Sequence, residues 1–271
     1  MPRVRRVGII GIGKLGAALI SGLLRSSLKN RISIVASDAI RERRDWASKT
    51  FGIECLATNG DLVRNSDVVV LAVQPGDAKA VLEDVRSHLT SRHLLVSVMT
   101  GVSMGFMART LKKDLPTVRA MPNSPCAIGE GVTAIAAGEG VSEGDLSFVK
   151  GLFEAVGVVV TVKEELLNAV TGLSGSGPGY AYLTIEAMAD AGVKVGLPKD
   201  LALLLAAQTM LGSARMVLRD KEHPAKLRDA VATPSGTTVT GIYELEKAGL
   251  RAAFINAVEK ATKRAEELSL R

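Results

Sequence analysis

The feature that most constrains this chain is a glycine spacing near its start. Gly11-Ile12-Gly13-Lys14-Leu15-Gly16 follows the apolar run at residues 7–10 and opens a helix-length segment at 15–26. In such a strand–turn–helix the first glycine permits a tight turn and the second lets backbone approach a pyrophosphate. The third lets helix and strand pack closely. The amides exposed at the helix start favour bound phosphate. Glycine-rich turns are common, so the context decides. An apolar strand before it and Asp38 closing a second strand predict a dinucleotide-binding βαβ unit.

The rest of the chain fits that frame. Strands are expected at 7–10, 32–36, 67–73, 94–99, 117–120, 132–136 and 158–162, several of them apolar without alternation, as strands covered on both faces are. Helices are expected at 15–26, 40–51 and 76–89. After residue 162 the strands give way to helical periodicity at 181–195, 201–218 and 250–268, with Gly196-Leu197-Pro198 as a stop signal. The expected fold class is α/β: a Rossmann-type doubly wound sheet over residues 1–162 and an all-helical dimerisation domain over 163–271. The apolar stripes of the second half suit either packing on each other and the sheet or association with another chain.

Composition narrows the class further. Of 271 residues, 47% are hydrophobic and 23% charged, which fits a soluble globular protein. The net charge is +6, yet residues 1–44 hold ten basic side chains (Arg3, Arg5, Arg6, Lys14, Arg25, Lys29, Arg31, Arg41, Arg43, Arg44) against Asp38 and Glu42. The remainder is slightly acidic, so no nucleic-acid partner is expected. The local excess suits a dinucleotide. Cys55 and Cys126 lack CxxC partners, which predicts reduced thiols in a cytoplasmic protein. His88, His93 and His223 lack metal-ligand spacing, so no metal is expected. Arg3, Arg5 and Arg6 before an apolar stretch mimic a signal peptide, but Lys14 and the glycines suit a turn instead. Residues 201–214 read as a core helix, and no membrane partner is expected.

The second strand ends Ser37-Asp38. An acidic residue there binds ribose hydroxyls and leans toward NAD. Arg41, Arg43 and Arg44 follow within a turn, and arginine binds phosphate through paired hydrogen bonds. NADPH and NADH both remain open. Ala72-Val73-Gln74-Pro75 sits at the carboxyl edge of a strand, where such folds bind ligands, and Asn59 is placed to reach the adenosine end or to cap a turn. Three later segments stand out: Arg119–Pro125 with Asn123, Thr171–Pro178, and Thr233–Thr238. Glycine and proline in the second predict a helix break that frees amides and hydroxyls. The third precedes a helix, where consecutive amides and threonine hydroxyls suit a carboxylate.

These motifs, in this order and over essentially the whole chain, resemble those of the pyrroline-5-carboxylate reductase family. Gly196-Leu197-Pro198, Gln208-Thr209 and His223-Pro224 belong to the same pattern. The resemblance implies NAD(P)H-dependent reduction of the cyclic imine L-1-pyrroline-5-carboxylate to L-proline. It also implies a homodimer, or a larger homo-oligomer of dimers, built through the C-terminal helices. By match to the motif, Thr238 contacts the imine nitrogen, and Thr233, Ser235, Gly236 and Thr237 hold the carboxylate. Ser174, Gly175, Ser176 and Gly177 complete the substrate site. Gly11, Ile12, Gly13, Lys14, Leu15, Gly16, Ser37, Asp38, Asn59, Ala72, Val73, Gln74, Pro75 and Asn123 form the cofactor site. The sequence departs from the family where Gln74 replaces lysine, Ser235 replaces glycine, and Met99 and Thr100 replace small residues. The Ser235 change matters if that position needs φ > 0.

A protonated imine is already electrophilic, which accounts for the lack of a His, Asp or Lys catalytic cluster. Two rival readings exist. A β-hydroxyacid-type dehydrogenase would use a lysine acid/base, with Lys163 and Lys194 as candidates. A dinucleotide-binding regulator would have no catalysis at all.

Overall fold

The structure, a computed structural model, describes residues 4–269. One sheet of eight strands runs β3-β2-β1-β4-β5-β6-β7-β8. The strands are β1 (Arg5–Ile10), β2 (Ile32–Ser37), β3 (Glu54–Leu56), β4 (Val68–Leu71), β5 (Leu94–Ser97), β6 (Thr117–Met121), β7 (Gly131–Ala137) and β8 (Gly157–Thr161). All neighbours pair parallel except β6 and β7. The order reverses between β1 and β4, the switch point where doubly wound sheets bind ligands.

Alternate residues of the central strands enter opposite cores. Val7, Ile9, Val68, Val70 and Val96 pack with Leu19, Ile20 and Leu23 of α1 (Lys14–Arg25), Ala47 of α2 (Arg41–Phe51) and Phe153 of α6 (Glu143–Glu154). Ile10, Val35, Val69, Leu71 and Leu95 pack with Leu62 of α3 (Asn59–Arg64), Leu82 of α4 (Ala78–Val85) and Met107 of α5 (Met104–Leu111). Burial on both faces is why these strands read as unbroken apolar runs.

The expected elements are present, and short ones join them. The sequence reading places no element at β3, α3, α5 or α6. Thr58, Ser103 and Ser142 cap the three helices, each side chain accepting from a backbone N–H three residues on. Those capping residues were the available sequence signal. The expected helix at 76–89 divides into a 3-10 turn at Pro75–Asp77 and α4. Arg5 and Arg6 tie β1 to its surroundings. Arg5 pairs with Asp145 at 2.8 Å and lies over the Phe148 ring, and Arg6 pairs with Glu54 at 2.5 Å. Arg3 lies outside the described residues.

The chain forms two compact units. One runs up to Ser176 and includes the chain from Lys260 onward; the other is Gly177–Glu259. The segment after β8 packs on the sheet: Leu167 of α7 (Leu167–Val170) is buried with Ala134 and Ala136 of β7.

The second unit holds α8 (Gly177–Lys194), α9 (Lys199–Asp220), α10 (Pro224–Val231), α11 (Thr237–Lys247) and the start of α12 (Leu250–Leu268). α8 and α9 meet through Ala189, Ala202 and Ala206, with Ile185 against them. The reading of 201–214 as a core helix needs correction. Leu203, Leu204, Leu205 and Leu211 are exposed, and only Ala202 and Ala206 of α9 are buried. By length and composition alone α9 could cross a membrane, and 11% of its most apolar window is buried. The small residues meet α8, so the large ones point away.

Candidate active site

Ile10, Ser37, Leu56, Leu71 and Ser97 end their strands in one register row. The residues that follow them therefore emerge along one edge. Gly11 turns there with φ +101°, and a Cβ on it would stand 2.5 Å from the Ala72 carbonyl oxygen. A Cβ on Gly16 would overlap the Gly11 carbonyl oxygen. Both positions therefore demand glycine.

Gly13 differs, because a Cβ there would meet nothing within 4 Å. It is the N-cap of α1, makes no side-chain cap, and is followed by no acidic residue in the first turn. The helix start is bare, with open space beside Gly13 and the positive end of the helix dipole behind it. A dinucleotide pyrophosphate fits this cradle. Lys14 is exposed beside it, and Leu15 is half-buried on the core side.

Asp38 takes a different part from the one its sequence position suggests. It is buried, and Oδ2 accepts from Ile12 N–H at 2.7 Å while Oδ1 accepts from Ile40 N–H at 2.9 Å. Its carboxylate pins the glycine turn to the head of α2. Arg44 donates to the carbonyl oxygens of Asp38 (2.6 Å) and Ala39 (3.3 Å). Arg43 and Arg41 stand 3.6 and 3.7 Å from Asp38 and Asp45. Ser37 Oγ donates to Asn59 Oδ1 at 2.8 Å. Thr58, not Asn59, caps α3.

Ala72, Val73 and Pro75 are half-buried and Gln74 is exposed, with the 3-10 turn beginning at Pro75. Met99 is buried in the second core, so its bulk enters the interior. Thr100 Oγ1 donates to Met121 Sδ at 3.7 Å.

The run 171–175 lies between α7 and α8, and Ser176 bends before α8 begins. The run forms a π turn, in which Ser176 N–H donates to Thr171 O at 2.8 Å. The Thr171 and Ser174 hydroxyls donate back to Leu167 O (2.8 Å) and Val170 O (3.1 Å). Pro178 falls near the start of α8, where its missing N–H costs little. Such turns recur at functional sites. Asn123 holds this one: Nδ2 donates to Ser174 O at 3.2 Å and Oδ1 accepts from Val132 N–H at 3.0 Å. Sequence reasoning missed another tie. Glu164 Oε1 accepts from Arg119 Nη1 at 2.9 Å and Met104 N–H at 2.8 Å. The partners are 45 and 60 residues distant, so no local pattern announces them.

In the second unit, Gly236 N–H donates to Thr233 O at 3.0 Å across Pro234-Ser235. Ser235 has φ +58°. Proline second and φ > 0 third is the type II turn pattern, which favours glycine at the third place. α11 then starts at Thr237 without a side-chain cap or an acidic first turn. Its first amides, with the half-buried Thr238, suit a carboxylate. Lys163 and Lys194 are both exposed. Among the described residues no group of His, Cys, Asp and Glu could hold a metal.

A Rossmann sheet with a bare phosphate-binding turn, followed by a helical domain, defines a dinucleotide-dependent oxidoreductase of the two-domain type. Residues 164–268 match the family model for pyrroline-5-carboxylate reductase dimerisation, and residues 6–101 match that for NADP oxidoreductase, coenzyme F420-dependent. Pyrroline-5-carboxylate reductase of Methanosarcina acetivorans is 41% identical over 97% of this chain and 98% of its own. That of Arabidopsis thaliana is 42% identical over 97% and 95%. The structure of the Coxiella burnetii pyrroline-5-carboxylate reductase superposes with a TM-score of 0.93 at 34% identity, covering 99% of this chain and 100% of that one. The Plasmodium falciparum pyrroline carboxylate reductase, solved with NADP bound, gives 0.88 at 31% identity over 98% of each. The chain belongs to the pyrroline-5-carboxylate reductase family.

Proposed function

We propose that this chain reduces L-1-pyrroline-5-carboxylate to L-proline with NADPH or NADH, by hydride transfer to the imine carbon. The observation that carries the reading is the bare start of α1 behind Gly13 at the sheet's switch point, in a chain that aligns along its whole length with reductases of this substrate. When bound, the reduced nicotinamide supplies the hydride. The backbone from Gly11 to Gly16 holds the pyrophosphate, Ser37 and Asn59 face the adenosine ribose, and residues 72–75 back the cofactor. Asp38 and Asn123 serve indirectly, the first by fixing the glycine turn and the second by fixing the π turn.

In the helical domain, residues 163–271, the loop Thr233–Thr237 holds the carboxylate, with the Ser235 and Thr237 amides as donors because Pro234 has no N–H and that of Gly236 closes the turn onto Thr233 O, and residues 174–177 line the substrate. Thr238 orients the imine nitrogen through its hydroxyl. This work is positional. Holding two reactants in contact contributes about 7–11 kcal/mol to such a step, without a titrating side chain. The exposed apolar helix faces support a homodimer, and larger assemblies of dimers follow the same surface. Two free thiols, Cys55 and Cys126, both pushed above the usual range chiefly by burial, suit a cytoplasmic location.

An absorbance assay with the pyrroline substrate and each reduced cofactor tests the reading. Oxidation of neither cofactor by folded protein overturns it. Thr238→Ala is expected to lower turnover on the order of tenfold, the loss of one positioning hydrogen bond, while cofactor affinity persists. Unchanged turnover at saturating substrate removes Thr238 from the mechanism.

A further inference from the structure

At the end of β2 a row of three side chains continues past the proposed ribose contacts. Ser37 Oγ donates to Asn59 Oδ1, and Asn59 Nδ2 donates to Asp84 Oδ2 at 2.9 Å. Asp84 is exposed on α4, and nothing in the reaction calls for it. Chemistry fixes the direction of the row. A carboxylate only accepts hydrogen bonds, so the amide nitrogen of Asn59 must face Asp84 and its oxygen must face Ser37. That oxygen also only accepts, so the Ser37 hydroxyl must donate into the row. Ser37 is buried, Asn59 half-buried and Asp84 exposed, so what the row offers beside the ribose is the remaining lone pair of the Asn59 oxygen and, one residue away, a negative charge.

We propose that Asp84 is a positioning residue that, through Asn59, weights the site against a 2′-phosphate and so sets the balance between NADPH and NADH. A ribose hydroxyl can donate to these acceptors. A 2′-phosphate offers no proton to them and is repelled by the carboxylate. The arginines of α2 do not cancel this weighting. Arg44 is engaged by backbone carbonyls, and Arg41 and Arg43 each stand near a carboxylate of their own. The inference rests on the dinucleotide reading above.

Calorimetric titration of the full chain with NADPH and with NADH, without substrate, reads binding apart from turnover. Asp84→Asn keeps the shape, removes the charge and lets the Asn59 amide turn over. It is expected to tighten NADPH relative to NADH by about tenfold, the size of one removed like charge at close range. Asp84→Ala removes the same charge and is expected to move the ratio in the same direction. A residue with only a structural role would weaken both cofactors alike. A ratio that does not change in either variant overturns the proposal while the dinucleotide reading stands. Failure of the wild-type chain to bind either cofactor overturns both.

Discussion

The two units of this chain treat their apolar residues in opposite ways. In the first, both faces of the central strands are covered, and Ile9, Leu62, Leu71, Leu82, Leu95 and Phe153 are completely enclosed. In the second, only alanines are enclosed, while Tyr182, Leu183, Leu204, Leu218 and Ile255 lie open. A few buried methyl groups cannot offset the entropy of ordering several helices. The first unit carries a core of its own. The second buries too little to stand on the packing of its own helices, as suits an oligomeric protein.

The contrast can be broken from either side. Gly16→Val places a side chain on the Gly11 carbonyl and should weaken dinucleotide binding on the order of 100-fold, with the helical unit's assembly intact. Titration calorimetry and light scattering read the two effects separately, and joint loss would mean the units are not independent. Leu204→Asp is harmless on an open helix but costs about 3 kcal/mol or more if a second copy covers it. Sedimentation should show monomers, and a dimer that survives the charge would show that α9 lies outside the interface.

A third test concerns the first unit alone. His93 is buried at the head of β5, and burial holds its imidazole below the usual range despite hydrogen bonds to Thr90 and Val63 carbonyl oxygens. A histidine depressed in the folded state favours unfolding when it is protonated. Stability is therefore full above the unfolded pKa of about 6.5 and falls as pH drops through the window below it. The slope reaches at most about 1.4 kcal/mol per pH unit. Denaturant titrations of His93→Gln should lose that slope, and an unchanged profile would assign it elsewhere. The smallest effect belongs to the second unit. Ser235→Gly should stabilise by about 0.5 kcal/mol, the relief of φ +58° less the entropy glycine adds to the unfolded chain. A fall in melting temperature would contradict it.

Much of the local structure around the candidate site was legible in the residues. The glycine turn, the strand end at Ser37 and the loop at 233–238 fall where their spacing put them. Particular roles were not legible. Asp38 reads as a ribose ligand because it ends a strand, yet its carboxylate turns inward to two backbone amides. The 171–178 run reads as a break because it is rich in glycine, and the interruption takes a form no spacing announces, a π turn over 171–175 closed by a bend at Ser176. Leu201 to Leu211 read as core because apolar periodicity marks a face without naming what covers it.

Sequence alone determined what depends on neighbours in the chain: a helix-covered sheet by the alternation of strands with helices, the tight turn by its glycines. Tertiary structure decided what depends on residues far apart. It turned Asp38 inward, used Asn123 to hold the π turn, joined Ser37, Asn59 and Asp84 into one row, and left the face of α9 open. Hydrogen-bond partners and burial are properties of three-dimensional proximity, and the spacing of residues along a chain does not encode them locally.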